Sequence, residues 1–439
     1  MAGYQKIKKT IVKKVPGGKF LRESYWRTRH FSRNFIAKIR ANLGRYNIPH
    51  PDTIYWISPE RIVYHTNYNP SGRDIPFRDR IFDPDRDKGK IIGGNWDISD
   101  FKFTDLDIYK AFELRILRKE KWENTKFYRR VLSDINLGKT KWGCSSKEEL
   151  DKRFDYLDRL IESIRTNGYQ LSEDVIVEDE DKSFAGRKEE VTVNIGRDGQ
   201  FLFENGRHRL SIAKILKIPK IPVKVVVRHK EWQNFREYVL HYAKLSGGRL
   251  YQPPIHPDLS DIPVQHGCED RFKAIIESVG YNGIGKKVLD IGAYIGYFCH
   301  RFEDYGCDCY AVEPLPELCY IMRKIKIAEG KNFTIIEKSI FDTDIVERQN
   351  FDIVIALNIF HHFLKTEDDY NKLTNLLAKL NVDVMIFEPH LPDEPQMKDA
   401  YRNYNVDEFV KFILKNSPLN NFEHIYTADD GRKIFKLYK

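Results

Sequence analysis

The chain has 439 residues, 41% of them hydrophobic and 31% charged, which is too long for one ordinary domain and too apolar for a disordered chain; two or three soluble domains are expected. No stretch approaches the roughly 18 apolar residues of a membrane span, and the basic start MAGYQKIKKTIVKKVPGGKF lacks the apolar core of a signal peptide, so a cytoplasmic protein is expected. The net charge of +9 is uneven: residues 1–49 interleave aromatics with lysine and arginine, as in FLRESYWRTRHFSRNF, which suits either a nucleic acid or anionic surface, or a basic arm lying on its own protein.

Residues 1–125 parse as a basic, irregular extension. FIAKIRANL has helical spacing, RIVYHTN reads as a strand, and the turn-rich run from Asn69 to Asp97 reads as a long ordered loop because it carries many aromatic and aliphatic anchors. TDLDIYKAFELRILRKE is a helix with Thr104 as its candidate N-cap. A second unit is expected over 126–245. Its long amphipathic helix starts at Ser145 or Ser146, stripes Leu150, Phe154, Leu157, Leu160, Ile161 and Ile164, and stops at Gly168. Strands DVIVED, VTVNIG and QFLFEN follow, then helix RHRLSIAKILKI and strand IPVKVVVRH. SGGRLYQPPIHPDLSDIPVQHG (246–267) is rich in Gly, Pro and Ser and reads as an interdomain linker.

From 268 to 439 continuous apolar strands alternate with helices and end in a hairpin, FEHIYTA…RKIFKLYK. That pattern means an α/β unit, a parallel sheet covered on both faces. The six cysteines (Cys144, Cys268, Cys299, Cys307, Cys309, Cys319) form no CxxC pair, so ordinary reduced thiols and no metal site are expected, with Cys307 and Cys309 on opposite faces of one strand.

The first chemical signal is VLDIGAYIGYF (288–298). Asp290, Gly292 and Gly296 end a strand and open a helix, where glycines permit a tight turn and close backbone approach to a ligand. Glu313, ending the next strand, is placed to accept hydrogen bonds from both hydroxyls of a ribose. The G-x-G-x-x-G spacing of a dinucleotide site is not met. Here the C-terminal unit resembles the class I S-adenosylmethionine-dependent methyltransferases, with a short stretch, AVEPLPE, similar to FkbM-type sugar O-methyltransferases. The resemblance implies a Rossmann-like seven-stranded domain in which Asp290, Gly292, Ala293 and Gly296 cradle the methionine part of S-adenosylmethionine. It implies Glu313 at the ribose, Ser339 and Ile340 beside the adenine, and Asn358 near the transferred methyl group. Ser339 stands where the family usually has an acid. His361 or His362 is a candidate general base, and Glu388 and His390 are candidate base or substrate contacts, because all follow strand ends.

The second signal is ENGRHRLSIAKILKIPKIPVKVVV. Gly206, Arg207, His208 and Arg209 sit at a helix start, where the dipole, free N–H groups and guanidinium forks favour phosphate, and Glu204 precedes the turn. Residues ~150–230 resemble the ParB N-terminal/sulfiredoxin-like superfamily. That implies a smaller α+β domain whose G-x-x-R box, Gly206–Arg209, binds the phosphates of ATP or another nucleotide with Mg2+, and in kinase-type members a catalytic acid at Glu204. The cysteine of sulfiredoxin and a following helix-turn-helix are missing. Trp96, Asp97, Trp122 and Glu123 are either the floor of this site or core and surface.

Two methyltransferase functions stay open on the sequence, beside a non-enzymatic nucleotide-gated binding protein that the intact Asp290–Gly296 turn and Glu313 disfavour. One is a methyltransferase acting on a hydroxyl or phosphate of a small molecule or glycan, with a nucleotide site that can act as a kinase on the same substrate. The alternative is a methyltransferase whose basic arm and ParB-like unit hold DNA or RNA. Neither fixes an oligomeric state.

Overall fold

The structure is a computed structural model that describes residues 47–50, 52–66, 82, 87–171, 190–280 and 285–439. The basic arm, helix FIAKIRANL, strand DVIVED and most of the 69–97 loop lie outside the described residues. The chain divides between Glu237 and Tyr238 into two compact units.

The N-terminal unit is built on strands β1 (Ile54–Ile57), β2 (Ile62–His65) and β3 (Lys90–Ile92), helices α1 (Asp107–Arg118), α2 (Lys126–Asn136) and α3 (Lys147–Asn167), then β4 (Val191–Ile195), β5 (Phe201–Asn205), α4 (Arg207–Ile215) and β6 (Ile221–His229). The sheet order is β1-β6-β4-β5-β2, with β3 also paired to β6. Antiparallel β4 and β5 form a hairpin, and α4 carries the chain over to β6, which pairs parallel to β4. β4 and most of β6 are buried, and their β-branched residues suit that place. Helices α1–α3 pack an aromatic layer of Phe112, Trp122, Phe127, Tyr128 and Phe154.

Ser146 caps α3 through its hydroxyl, and Gly168 ends it at φ 72°, both as expected. Thr104 does not cap α1. Buried Phe103 fixes a 3-10 turn over Phe103–Asp105, and the helix begins after Leu106 without a side-chain cap. Part of the expected 69–97 loop is strand β3, drawn into the sheet by pairing with Val227–His229.

Helix α5 (Lys230–Leu245) leads out of this unit. The C-terminal unit then runs α6 (Glu269–Ser278), β7 (Lys287–Ile291), α7 (Tyr297–Asp304), β8 (Asp308–Val312), α8 (Pro316–Ala328), β9 (Thr334–Ile336), α9 (Ile345–Arg348), β10 (Phe351–Leu357), α10 (Glu367–Lys379), β11 (Val382–Glu388), α11 (Val406–Asn416), β12 (Asn421–Thr427) and β13 (Lys433–Tyr438). Its seven strands take the order β12-β13-β11-β10-β7-β8-β9. All neighbours are parallel except β13, which is antiparallel to β11 and β12. Two apolar layers cover the sheet, one around Leu289, Val354 and Phe409, the other around Val288, Phe298 and Phe302. This is the α/β, Rossmann-like methyltransferase arrangement. Strand order reverses between β7 and β10, and ligands of open α/β sheets bind outside the strand ends at such a point.

Two local expectations are corrected. Cys307 and Cys309 are not on opposite faces: residues two apart in extended chain share a face, and both thiols, one just before β8 and one within it, are buried in one apolar cluster. All six cysteines are free and buried, and no described cluster could hold a metal. The segment read as a linker, 246–267, is a folded strap. Leu250 and Val264 pair in parallel, and Leu250, His256, Asp258, Leu259 and Ile262 are buried. Among the described residues no helix is long and apolar enough to cross a membrane.

Candidate functional site

In the C-terminal unit the turn after β7 is shaped by left-handed backbone. Gly292 lies at φ 75° and Gly296 at φ 82°, and the non-glycine Tyr294 also takes φ 56°. A Cβ at Gly292 would come within 2.7 Å of the Ile359 side chain, and one at Gly296 within 2.9 Å of Met322. Space as well as torsion therefore demands glycine at both. The turn is tied to β8 by the Gly292 and Ala293 amides, which donate to the Val312 carbonyl at 2.9 and 3.1 Å.

Glu313 follows β8 with its carboxylate buried and clamped. The Tyr294 amide donates to Oε2 at 3.0 Å and the Leu315 amide to Oε1 at 3.0 Å. Burial nevertheless pushes its pKa up to about 7 against the pull of those two amides. Asp290 is also pushed up to about 7, by burial first and the Glu313 charge second. The Cys299 thiol donates weakly to its Oδ2 from 3.9 Å. Two buried carboxylates with raised pKa values at a glycine turn make this the candidate site of the unit.

Beyond β9, Ser339 caps a short 3-10 turn by accepting from the Phe341 amide at 3.3 Å, and Ile340 is buried in the core. Asn358 ends β10 in left-handed backbone at φ 50°, an uncommon conformation for a side-chain-bearing residue. Its amide nitrogen Nδ2 donates to the Tyr251 hydroxyl at 3.0 Å. Tyr251 comes from the strap. Its backbone amide donates to the Tyr294 hydroxyl at 3.1 Å, so one strap residue touches both the glycine turn and the end of β10.

The strand ends carry the remaining candidates. Glu388, ending β11, is buried and bound by Arg271 of α6 at 3.1 Å; burial raises its pKa and Arg271 opposes the rise. Arg271 also reaches Asp430, which pairs with Arg432 at 2.6 Å, and Arg432 pairs with Glu394 at 2.8 Å. His361 is buried, and desolvation together with His362 and His390 lowers its pKa to about 3. It is neutral at physiological pH but a weak base. His362 is exposed, its ring 4.0 Å from His361 and its Nδ1 3.3 Å from Lys365 Nζ. His390 is buried, with Nε2 2.9 Å from Asn403 Oδ1 and its ring 5.7 Å from His361. The structure thus brings Asp290, the glycine turn and Glu313 together at the ends of β7 and β8, and Asn358, Glu388 and His390 to the ends of β10 and β11. Sequence reasoning missed Tyr251, His266, Arg271, Asp430 and Arg432. For Tyr251 and His266 the available signal was the set of apolar and aromatic anchors within a stretch otherwise composed like a linker; Arg271, Asp430 and Arg432 carry no local signal.

In the N-terminal unit, Gly206 caps α4 at φ 95°, and a Cβ there would stand 3.0 Å from the Val191 Cα. Arg207 lies over the Trp142 ring at 5.5 Å, and Arg153 of α3 lies over the same ring at 5.3 Å. His208 packs edge-on to Trp142 at 5.2 Å and beside Phe112 at 6.0 Å. Burial, then the charges of Arg207, Arg153 and Arg209, hold its pKa well below the usual range. Arg209 faces Glu190 at 3.5 Å. Glu204 is buried inside the sheet, where the Asn194 Nδ2 donates to it at 2.6 Å and to Thr66 at 2.9 Å. Trp122 joins the aromatic layer behind His208 through Phe112 and donates to Asp158 at 3.0 Å, while Glu123 is exposed. Trp96 packs on Phe82 and on His229 at the end of β6, and Asp97 is clasped by Arg197 of the β4–β5 turn at 2.8 Å.

Residues 264–424 match the family profile of a methyltransferase domain, so the C-terminal unit carries a methyltransferase domain. Among solved structures, the bifunctional kinase-methyltransferase WbdD is 16% identical with a TM-score of 0.37, over 46% of this chain and 46% of that one. Magnesium protoporphyrin IX methyltransferase from Synechocystis PCC 6803, with bound SAM, is 15% identical with a TM-score of 0.30, over 39% of this chain and 78% of that one. A putative S-adenosylmethionine-dependent methyltransferase from Listeria monocytogenes is 13% identical with a TM-score of 0.29, over 38% and 99%. The chain spans less than half the length of WbdD, and likeness at this level carries no functional weight. No curated protein sequence matches.

Proposed function

We propose that the chain transfers a methyl group from S-adenosylmethionine to an oxygen of a small molecule or glycan. The observation that carries this is Glu313: a carboxylate at the end of β8, fixed by two backbone amides, one of them from the glycine turn that opens α7. Glu313 would hold the ribose hydroxyls, the Asp290–Gly296 turn the methionine part, Ser339 and Ile340 the adenine, and Asn358 the region of the reacting methyl. When bound, the cofactor supplies an electrophilic methyl group. The chain's own residues exclude water, orient the acceptor and take its proton. His361, neutral but weakly basic, and Glu388, whose burial raises its basicity while Arg271 opposes it, are the groups placed for that last task.

The N-terminal unit, in this proposal, binds the phosphates of a nucleotide such as ATP with Mg2+ at Gly206–Arg209. Support comes from Arg153, Arg207 and Arg209 all acting on His208 at the start of α4. A phosphoryl-transfer step using Glu204 requires that carboxylate to leave Asn194. Calorimetry with S-adenosylhomocysteine and with ATP·Mg2+, on the wild type, Asp290→Ala and Arg207→Ala, tests both halves. Each ligand should bind, and each variant should lose only its own. Failure of S-adenosylhomocysteine to bind overturns the methyltransferase proposal. Steeply salt-dependent binding of DNA or RNA instead of ATP would favour the nucleic-acid alternative.

A further inference from the structure

We infer that the methyl-acceptor site is walled by the strap 246–267 and takes an uncharged polyhydroxyl compound. This rests on the methyltransferase proposal and specifies the chemistry of its acceptor. Tyr251 is the hub of the wall. Its hydroxyl accepts from Asn358, its ring stands edge-on to His266 at 4.7 Å, and its carbonyl accepts from the His266 amide at 3.2 Å. His266 Nδ1 lies 3.7 Å from Asp430, which pairs with Arg432, and Arg432 pairs in turn with Glu394, which accepts from the Leu391 amide next to His390; these contacts bring strap, hairpin and the segment after β11 into one neighbourhood.

Besides both ring nitrogens of His361, the buried polar atoms of that neighbourhood that lack a hydrogen-bond partner among the described residues include Asn358 Oδ1, His266 Nε2, His390 Nδ1 and Arg432 Nε. His390 is only 1% exposed, so its orphaned nitrogen is costly unless a ligand satisfies it. Burial holds both imidazoles neutral. The set therefore offers a carbonyl oxygen, two neutral imidazoles and one N–H, a mixture that matches the paired donor and acceptor character of hydroxyl groups.

The charges beside it are already committed to one another. Arg271 binds Glu388 and Asp430, and Arg432 binds Asp430 and Glu394. A phosphate or carboxylate would have to pull a guanidinium out of a buried pair, and an ammonium would have to displace one. A neutral polyol disturbs neither.

The test saturates the full chain with S-adenosylhomocysteine and adds methyl α-D-glucopyranoside, methyl α-D-mannopyranoside, glucose 6-phosphate or glucosamine, reading binding by saturation-transfer NMR. A neutral pyranoside should bind, the phosphate and the amine should bind at least about ten-fold more weakly, and His390→Phe or Tyr251→Phe should weaken the pyranoside about five- to ten-fold. Circular dichroism checks that both variants fold. Preference for glucose 6-phosphate or glucosamine, or no sugar bound to protein that does hold S-adenosylhomocysteine, overturns the inference alone. Failure to bind S-adenosylhomocysteine overturns the methyltransferase proposal, and the acceptor site falls with it.

Discussion

The two units treat charge in opposite ways. At the start of α4, Arg153, Arg207 and Arg209 bear on a buried neutral His208, with Glu190 facing Arg209. At the strand ends of the C-terminal unit, Arg271 and Arg432 are interleaved with Glu388, Asp430 and Glu394 in one chain of ion pairs. A cluster of like charges is one an anion can relieve, whereas charges paired with one another can fix geometry around a neutral ligand. On that contrast rest the proposals of a phosphate ligand for one unit and an uncharged acceptor for the other.

The largest effect expected is from Arg271→Met. It leaves Glu388, 2% exposed at its side chain, without its guanidinium, and should cost about 3 kcal/mol in denaturant unfolding of the C-terminal unit. A loss below about 1 kcal/mol would mean the ion-pair chain is not a structural frame. Gly206→Ala comes next. Its Cβ meets backbone, the Val191 Cα at 3.0 Å, in a left-handed turn, so about 2 kcal/mol should disappear from the N-terminal unit. Gly292→Ala should be milder for stability, because the atom it meets is the end of the flexible Ile359 side chain, yet it should weaken S-adenosylhomocysteine.

Arg153→Gln sharpens the contrast between units. ATP binding should weaken by about ten-fold and its salt dependence should flatten, with S-adenosylhomocysteine binding unchanged. The smallest ligand effect is pH dependence in the C-terminal unit. Glu313 is raised to about 7, so it is increasingly a carboxylate, and a better acceptor for ribose hydroxyls, as pH climbs through neutrality. S-adenosylhomocysteine affinity should therefore rise several-fold from about pH 6 to about pH 8 in calorimetry. The same shift has the opposite sign for stability. Between the unfolded value near 4 and the folded value near 7 the native state holds a proton that the unfolded chain has lost. Glu313 and Asp290 thus make the unit less stable as pH rises across that window.

Much of the C-terminal unit was legible in the sequence. All seven strands, the glycine turn and Glu313 are local signals: apolar runs of strand length, residues that tolerate positive φ, and an acid ending the next strand. The strap was not legible. Its composition is that of a linker, and what folds it is pairing between Leu250 and Val264 and the reach of Tyr251 to Asn358, 107 residues away. Arg271 and Glu388 are 117 residues apart, and Arg271 and Asp430 159, so no window of sequence holds both partners. Glu204 shows the reverse case: an acid beside a glycine turn that the sheet turns inward onto Asn194.

The sequence by itself determined the alternation of strands and helices, the two glycine turns and the chemistry each could hold, because hydrophobic period and backbone torsion act over a few residues. Only the tertiary structure decided which charges meet and cancel. Ion pairing and the desolvation that sets a pKa depend on neighbours brought together across the whole chain. Tyr251, His390 and Arg432 come together only after β10, β11, the hairpin and the strap have packed.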